Sequence, residues 1–233
     1  NNPLVGLEER AKLLNELGQA LMKHKHMFEF GDALRPGNLY DYFLQRQEKG
    51  VLAAREILIA ILKSMGEIWP DGTWINSIAI GDAAYHEAVK RSDITDRIVP
   101  FHKLSQWMSY SLIEPLQLAG IKIIDLDALT GLAEYRNGGL FIDTGTISLR
   151  DETEMETLHD PKSPLIVEWR ALTVTLLDQL AEQIRQHTNT NAESLPLVSI
   201  LQGGTWSAGR RIAQRLRSDA SPPLRLKSRG TIF

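Results

Sequence analysis

Apolar positions recur at helical spacing through most of the chain. In LEERAKLLNELGQALMKH (7–24), Leu7, Leu13, Leu14, Leu17, Ala20 and Leu21 recur at helical spacing, which predicts an amphipathic helix. RPGN (35–38) interrupts the pattern and leads into LYDYFLQRQEKG, a second helix with Gly50 as its stop. VLAAREILIAILKSMGEIW (51–69) is apolar nearly all round and predicts a buried helix. PDGTW (70–74) has the composition of a turn. INSIAIGDAAYHEAVKRSD then predicts a short connection and a helix starting near Asp82. In KLSQWMSYSLIEPLQLAG (103–120), Leu104, Trp107, Met108, Leu112 and Leu116 share a side, and Pro115 is expected to kink or divide the helix. LIVEWRALTVTLLDQLAEQIRQH (165–187) is the clearest helix pattern of all.

Strand signals are few. IKIIDLDALTG is short and β-branched, and SPPLRLKSRGTIF alternates in a way that suits a short terminal strand. RDETEMETLHDPKSP (150–164) is acidic and rich in breakers, which predicts a mobile surface loop. LPLVSILQGGTWSAGRRIAQRLR reads as an apolar approach, a glycine turn and a basic helix. The expected fold class is therefore mainly α: a compact multi-helix domain with a few short strands, including one in the C-terminal segment. Residues 1–233 read as a single α-rich domain, with 1–99 the looser helical half and 100–233 the half that carries the motifs.

Composition narrows the function classes. The 233 residues are 43% hydrophobic and 24% charged, ordinary for a soluble globular chain with a sizeable core. A formal charge of -3 and a pI near 6.1 argue against nucleic acid as a partner, which would demand a basic footprint. Cysteine is absent, so disulfides, thiolate metal sites and Cys nucleophiles drop out, a composition that fits a cytoplasmic enzyme. No apolar run is long enough to span a bilayer, so no membrane partner is expected. NNPLVGLEERAKLL lacks the apolar core of a signal peptide and begins without Met, so a trimmed or internal start is expected.

Three polar clusters can carry chemistry. In PFHKLSQW (100–107), His102 and Lys103 follow a proline at a helix start, with Gln106 and Trp107 on the first turn. Histidine is the side chain best suited to acid or base work near neutrality; the plainer reading is an exposed pair over a core Trp. In LTGLAEYRNGGLFIDTG (129–145), Glu134, Arg136 and Asp143 supply carboxylates and a guanidinium, and Gly138 and Gly139 permit close backbone approach. The plainer reading there is a structural ion pair between Arg136 and a carboxylate. In LQGGTWSAGRR (201–211), a glycine turn opening a helix would present free N–H groups to an anion, with Arg210 or Arg211 adding charge. It matches neither the Walker nor the dinucleotide glycine pattern. Glu168, among the apolar residues of VEWRAL with Trp169 and Arg170, must be either partnered or perturbed. No metal-ligand spacing exists, since His24 and His26 do not share a helix face, so no metal and no cofactor are expected.

PFHKLSQWMSYSLIEPLQLAGI, LTGLAEYRNGGLFIDTG, VEWRALTVTLLDQLA, LQGGTWSAGRRIA and SRGTIF, in that order, resemble the uracil catabolism protein 4 family of bacteria and fungi, long classed as a domain of unknown function. RPGNLYDYF and IGDAAYHEAV are its better matches before residue 100. The resemblance implies the C-terminal part of a longer family chain and a role in uracil degradation. It implies a small-molecule substrate: a ribosylated, ring-opened uracil derivative, with or without a phosphate on the sugar, cleaved to release urea. Breaking that N-ribosyl bond needs a carboxylate to stabilise oxocarbenium charge or activate water, and a donor for the leaving group. Asp143 or Glu134 would fill the first role, and His102 or Gln106 would assist the urea. Gln202, Gly203, Gly204 and Arg210 would hold a phosphate. Tyr135, Trp107 and Trp206 would wall the sugar, with Arg136, Asn137, Glu168 and Arg170 completing the polar lining. The rival from another class is a non-catalytic protein that binds or senses a pathway metabolite.

Overall fold

Helices carry the chain, as the periodicity predicts. A computed structural model describes residues 6–69 and 72–227. In chain order the helices are α1 (Leu7–Lys23), α2 (Lys25–Phe28), α3 (Leu39–Leu44), α4 (Ala54–Met65), α5 (Lys103–Leu118), α6 (Tyr135–Asp143), α7 (Pro164–Thr188), α8 (Leu197–Ile200) and α9 (Trp206–Leu216). Among the described residues no strand is longer than four residues, and every sheet has two strands. Contacts divide these residues into two compact units, one built from 6–69, 72–83 and 104–129, the other from 84–103 and 130–227. The division cuts across the sequence, because within the described residues the chain passes from one unit to the other three times.

The first unit packs α1, α3, α4 and the body of α5 around Phe28, Phe43, Ile57, Ile61 and Leu129, all at most 1% exposed. The buried 51–69 segment is helical only from Ala54. Val51–Ala53 form a strand parallel to Lys122–Ile124, so the β-branched stretch after Gly120 finds its partner here. The second predicted helix is shorter than expected: α3 stops at Leu44, and the chain turns until Gly50, whose φ of 82° suits glycine. No helix begins near Asp82. Ile78–Gly81 instead pairs back on Thr73–Ile75 across Asn76 and Ser77, whose φ values of 45° and 65° give the tight hairpin turn that matches strand twist. Pro115 does not divide α5. It falls in the last turn, where only one backbone bond is lost, and Ala119 N–H already closes onto its carbonyl.

In the second unit α7 is the longest element, 25 residues opened by Pro164 and closed by Asn189 at φ 52°. Its buried face carries Ile166, Val167, Trp169, Thr173 and Leu177. α6 lies against both α7 and α9, and two glycines set those distances. A Cβ on Gly138 would sit 2.7 Å from Thr173 Oγ1 and 2.8 Å from the Trp169 ring; one on Gly209 would sit 2.9 Å from the Arg136 carbonyl carbon and nearer still to its oxygen. The acidic stretch 150–164 is not simply a surface loop. Leu158–His159 pairs in parallel with Arg225–Leu226, and the buried His159 ring lies 2.7 Å from the Glu154 carbonyl. The ending SRGTIF, with the rest of the terminal strand expected there, and Pro70 and Asp71 of the predicted turn lie outside the described residues.

Asp143, the last residue of α6, meets Arg217 just beyond α9 in a two-pronged ion pair, 2.8 and 2.6 Å, and Arg217 Nε donates to the Ser221 carbonyl. The Asp143 side chain is 4% exposed and that of Arg217 24%. The two halves of the pair are therefore unequal. Arg217→Ala strands a buried carboxylate and is expected to cost about 3 kcal/mol, whereas Asp143→Ala leaves a guanidinium that can reach water, about 1–2 kcal/mol. Chemical denaturation of both variants checks the order; a larger loss for Asp143→Ala would contradict it.

Candidate functional site

Glu134 is the residue around which the second unit gathers its polar groups. It stands at the N-terminal cap of α6 with extended backbone, and its two carboxylate oxygens accept from Arg136 N–H at 2.8 Å and Asn137 N–H at 2.6 Å. Glutamate is not a favoured cap. It works here because the preceding segment is buried, so the longer side chain folds back onto the helix end instead of reaching solvent. Glu134 is 6% exposed. Burial pushes its carboxyl above its ordinary value of 4.5, and this outweighs the downward pull of the Arg136 and Asn137 N–H groups and of the Lys103 and Arg136 charges.

The cluster around it is mostly buried charge and amide. Lys103, 8% exposed, opens α5, after His102 in the left-handed region at φ 49°. Positive φ in a residue other than glycine is costly enough to mark places held by their surroundings. Arg170, 3% exposed, lays its guanidinium 4.0 Å over the Phe101 ring and directs Nε to the Ala133 carbonyl at 3.4 Å, directly before Glu134. Asn137, 1% exposed, donates to the Leu132 carbonyl at 3.2 Å and accepts from Thr205 Oγ1 at 2.9 Å. The Arg136 and Asn137 N–H groups and the Lys103 and Arg136 charges thus act on the Glu134 carboxyl directly, while Arg170 and Thr205 hold the neighbouring Ala133 and Asn137. Desolvated charge held by specific partners is the electrostatic mark of a functional site, although bracing networks share it.

The structure does not bring Asp143 to this place. Nine residues of helix, about 13 Å at 1.5 Å per residue, separate it from Glu134, and Arg217 occupies both of its oxygens. Nor does Arg136 pair with a carboxylate side chain. Its guanidinium donates to the Ala220 carbonyl at 2.8 Å and lies 4.8 Å from the centre of the Tyr135 ring. The glycine turn at 201–204 is corrected outright: Leu201–Thr205 is a π-helical turn joining α8 to α9. Trp206 N–H is spent on the Leu201 carbonyl, so Gly203 and Gly204 open no helix and the anion seat expected there loses its basis. Gln202, Gly203 and Arg210 face outward, and Arg210 stacks over Trp206 at 4.1 Å. Glu168 is exposed and pairs with His86 at 3.1 Å, not with Arg170. Gln106, buried, and Trp107, about half exposed, lie along α5 in the first unit.

Among the described residues no three histidines or carboxylates are grouped to hold a metal ion, and no helix is long and apolar enough to cross a membrane. Thr205 is the participant in this cluster that sequence reasoning missed; His86 and Arg217 are the unforeseen partners of Glu168 and Asp143 outside it. Only Thr205 carried a usable sign, a hydroxyl beside the glycine pair of the best-matched block.

The elevated carboxyl yields a pH test. A group whose pKa is higher in the folded than in the unfolded chain favours folding while protonated, below its ordinary 4.5, and loses that advantage as pH rises through its folded pKa. Glu134→Gln removes this titration. The melting temperature of the wild type relative to Glu134→Gln is therefore expected to fall as pH is raised from below 4.5 to neutrality. A difference that grows with pH would mean that the carboxyl is lowered, not raised.

Residues 1–233 match throughout a family described as "Protein of unknown function (DUF1688)", and the chain belongs to that family. It is 38% identical over 241 residues to "Protein urg3" of Schizosaccharomyces pombe, with 100% of this chain and 55% of that protein covered. It is 37% identical over 259 residues to "Uracil catabolism protein 4" of Lachancea kluyveri, covering 100% of this chain and 58% of that one. The chain spans about half the length of these curated relatives.

Proposed function

We propose that this family member acts in uracil catabolism, as the name of its relative from Lachancea kluyveri suggests, and that it hydrolyses the N-ribosyl bond of a ring-opened uracil nucleoside or nucleotide, releasing urea. The observation that carries the reaction is Glu134: a carboxyl 6% exposed, raised by burial and set by the Arg136 and Asn137 N–H groups near the Lys103 charge. Urea leaves poorly as an anion, so the bond breaks only if its nitrogen is protonated. A carboxyl raised by burial holds its proton to higher pH than an exposed one and can supply it. The carboxylate left behind faces the oxocarbenium charge on the sugar and takes a proton from the water that adds to C1. Water is consumed, ribose or ribose phosphate and urea are released, and Glu134 ends as it began. The Arg136 and Asn137 N–H groups steady the carboxylate in the intermediate stage.

The test is urea release from N-ribosylurea and its 5′-phosphate, run beside calorimetry with the same compounds. Turnover supports hydrolysis. Tight binding without urea supports the second reading, a metabolite-binding protein of the same pathway. One observation favours that alternative: both Glu134 oxygens already accept backbone N–H groups, an arrangement that also suits a carboxylate with only a structural task. Neither turnover nor binding would remove both.

A further inference from the structure

In the π-helical turn between α8 and α9, Leu201 and Thr205 are buried, whereas a Cβ on Gly203 or Gly204 would meet nothing within 4 Å. Turns of this kind insert one residue into a helix and rotate the residues beyond it, and they concentrate at functional places. Here the residue at the end of the turn is Thr205, 3% exposed, and its hydroxyl donates to Asn137 Oδ1 at 2.9 Å across 68 residues of sequence. A helix of uniform α pitch would turn that side chain by about 100° for the residue omitted and carry the hydroxyl off Asn137.

Asn137 is tied in three ways. Its Oδ1 is held by Thr205, its Nδ2 donates to the Leu132 carbonyl at 3.2 Å, and its backbone N–H donates to Glu134 at 2.6 Å. Thr205 therefore fixes the orientation of the Asn137 amide, and with it both ends of the buried segment 132–137 that carries Glu134.

We infer that Thr205 is a positioning residue, aimed by the π turn at Asn137 so that the Glu134 carboxyl is held in one buried orientation. The inference rests on Glu134 being the working group of the site, yet its test does not require the substrate to be known. The charged groups acting on Glu134 are Lys103 at the start of α5 and Arg136 on α6; Thr205 adds no charge and acts only through geometry.

The experiment tracks the titration of Glu134 by carbon NMR of the protein labelled at glutamate side-chain carboxyls, with Glu134→Gln to assign the signal. In Thr205→Val, which keeps the shape and loses the donor, the segment loosens and admits water. Because burial is the chief cause of the raised pKa, the midpoint is expected to fall by about half a unit or more. Thr205→Ser, which keeps the hydroxyl, restores the wild-type midpoint. Thr205→Ala gives the same shift as Thr205→Val and serves where the valine variant does not fold. An unchanged midpoint in the folded variants lacking the hydroxyl overturns the inference. Urea release adds a separate reading: a fall of about tenfold in kcat at constant KM in Thr205→Val accompanies the shift, the size expected when a catalytic group is misplaced. A wild type that releases no urea defeats the hydrolase reading alone and leaves the titration to decide the role of Thr205.

Discussion

Gly209→Ala is expected to destabilise the chain by about 3 kcal/mol or more, lowering the melting temperature by roughly 6–12 °C. Alanine gains about 1 kcal/mol of helix propensity over glycine, so a free position would be stabilised. Gly209 is not free. Its would-be Cβ falls 2.9 Å from the Arg136 carbonyl carbon, and the obstacle is backbone, which cannot rotate aside. α6 and α9 must separate, and the first turn of α6, where Glu134 is bonded, moves with them. Gly203→Ala is the control, with open space around it and an expected change between zero and a small gain. Thermal melts of the two variants decide the matter; equal effects would show that α6 and α9 are not in close contact.

On the proposed hydrolysis, Glu134→Gln is expected to carry the largest functional effect. Loss of a positioned acid costs about 10²–10⁴-fold in turnover, whereas the amide keeps an acceptor for one cap N–H and should cost only about 1 kcal/mol of stability. Asp143→Asn separates the roles. It weakens the Arg217 pair and lowers stability, but the folded protein is expected to retain its rate, because Asp143 lies at the far end of α6. Rates normalised to folded protein provide the check. A variant of Asp143 that folds normally but does not turn over would return that residue to the site.

The elements that the sequence disclosed are those governed by local spacing. α1, α4 and α7 announce themselves because an apolar stripe needs only the residues within it. The structure departs from local reading where distant partners decide. A glycine pair looks like a turn, yet Gly203 and Gly204 lie inside a π turn whose use is contact with a residue 68 positions away. Asp143 reads locally as an unpartnered carboxylate because its partner, Arg217, stands 74 residues along the chain. Asp82 looked like a helix start because nothing local reveals that Asn76 and Ser77 accept positive φ and return the chain as a hairpin. Within the site, Glu134, Asn137 and Arg170 were legible as polar residues in apolar company. Their convergence was not, since it depends on how α6 and α7 pack across Gly138.

The most direct measurement is the pH dependence of kcat for urea release from N-ribosylurea or its 5′-phosphate, wild type beside Glu134→Gln. With Glu134 as the acid, the wild-type rate is highest while that carboxyl is protonated and declines as pH rises through its raised pKa, and Glu134→Gln is slower by about 10²–10⁴-fold at the optimum. Equal rates in the two proteins, with the same pH profile, would contradict the assignment of the chemistry to Glu134.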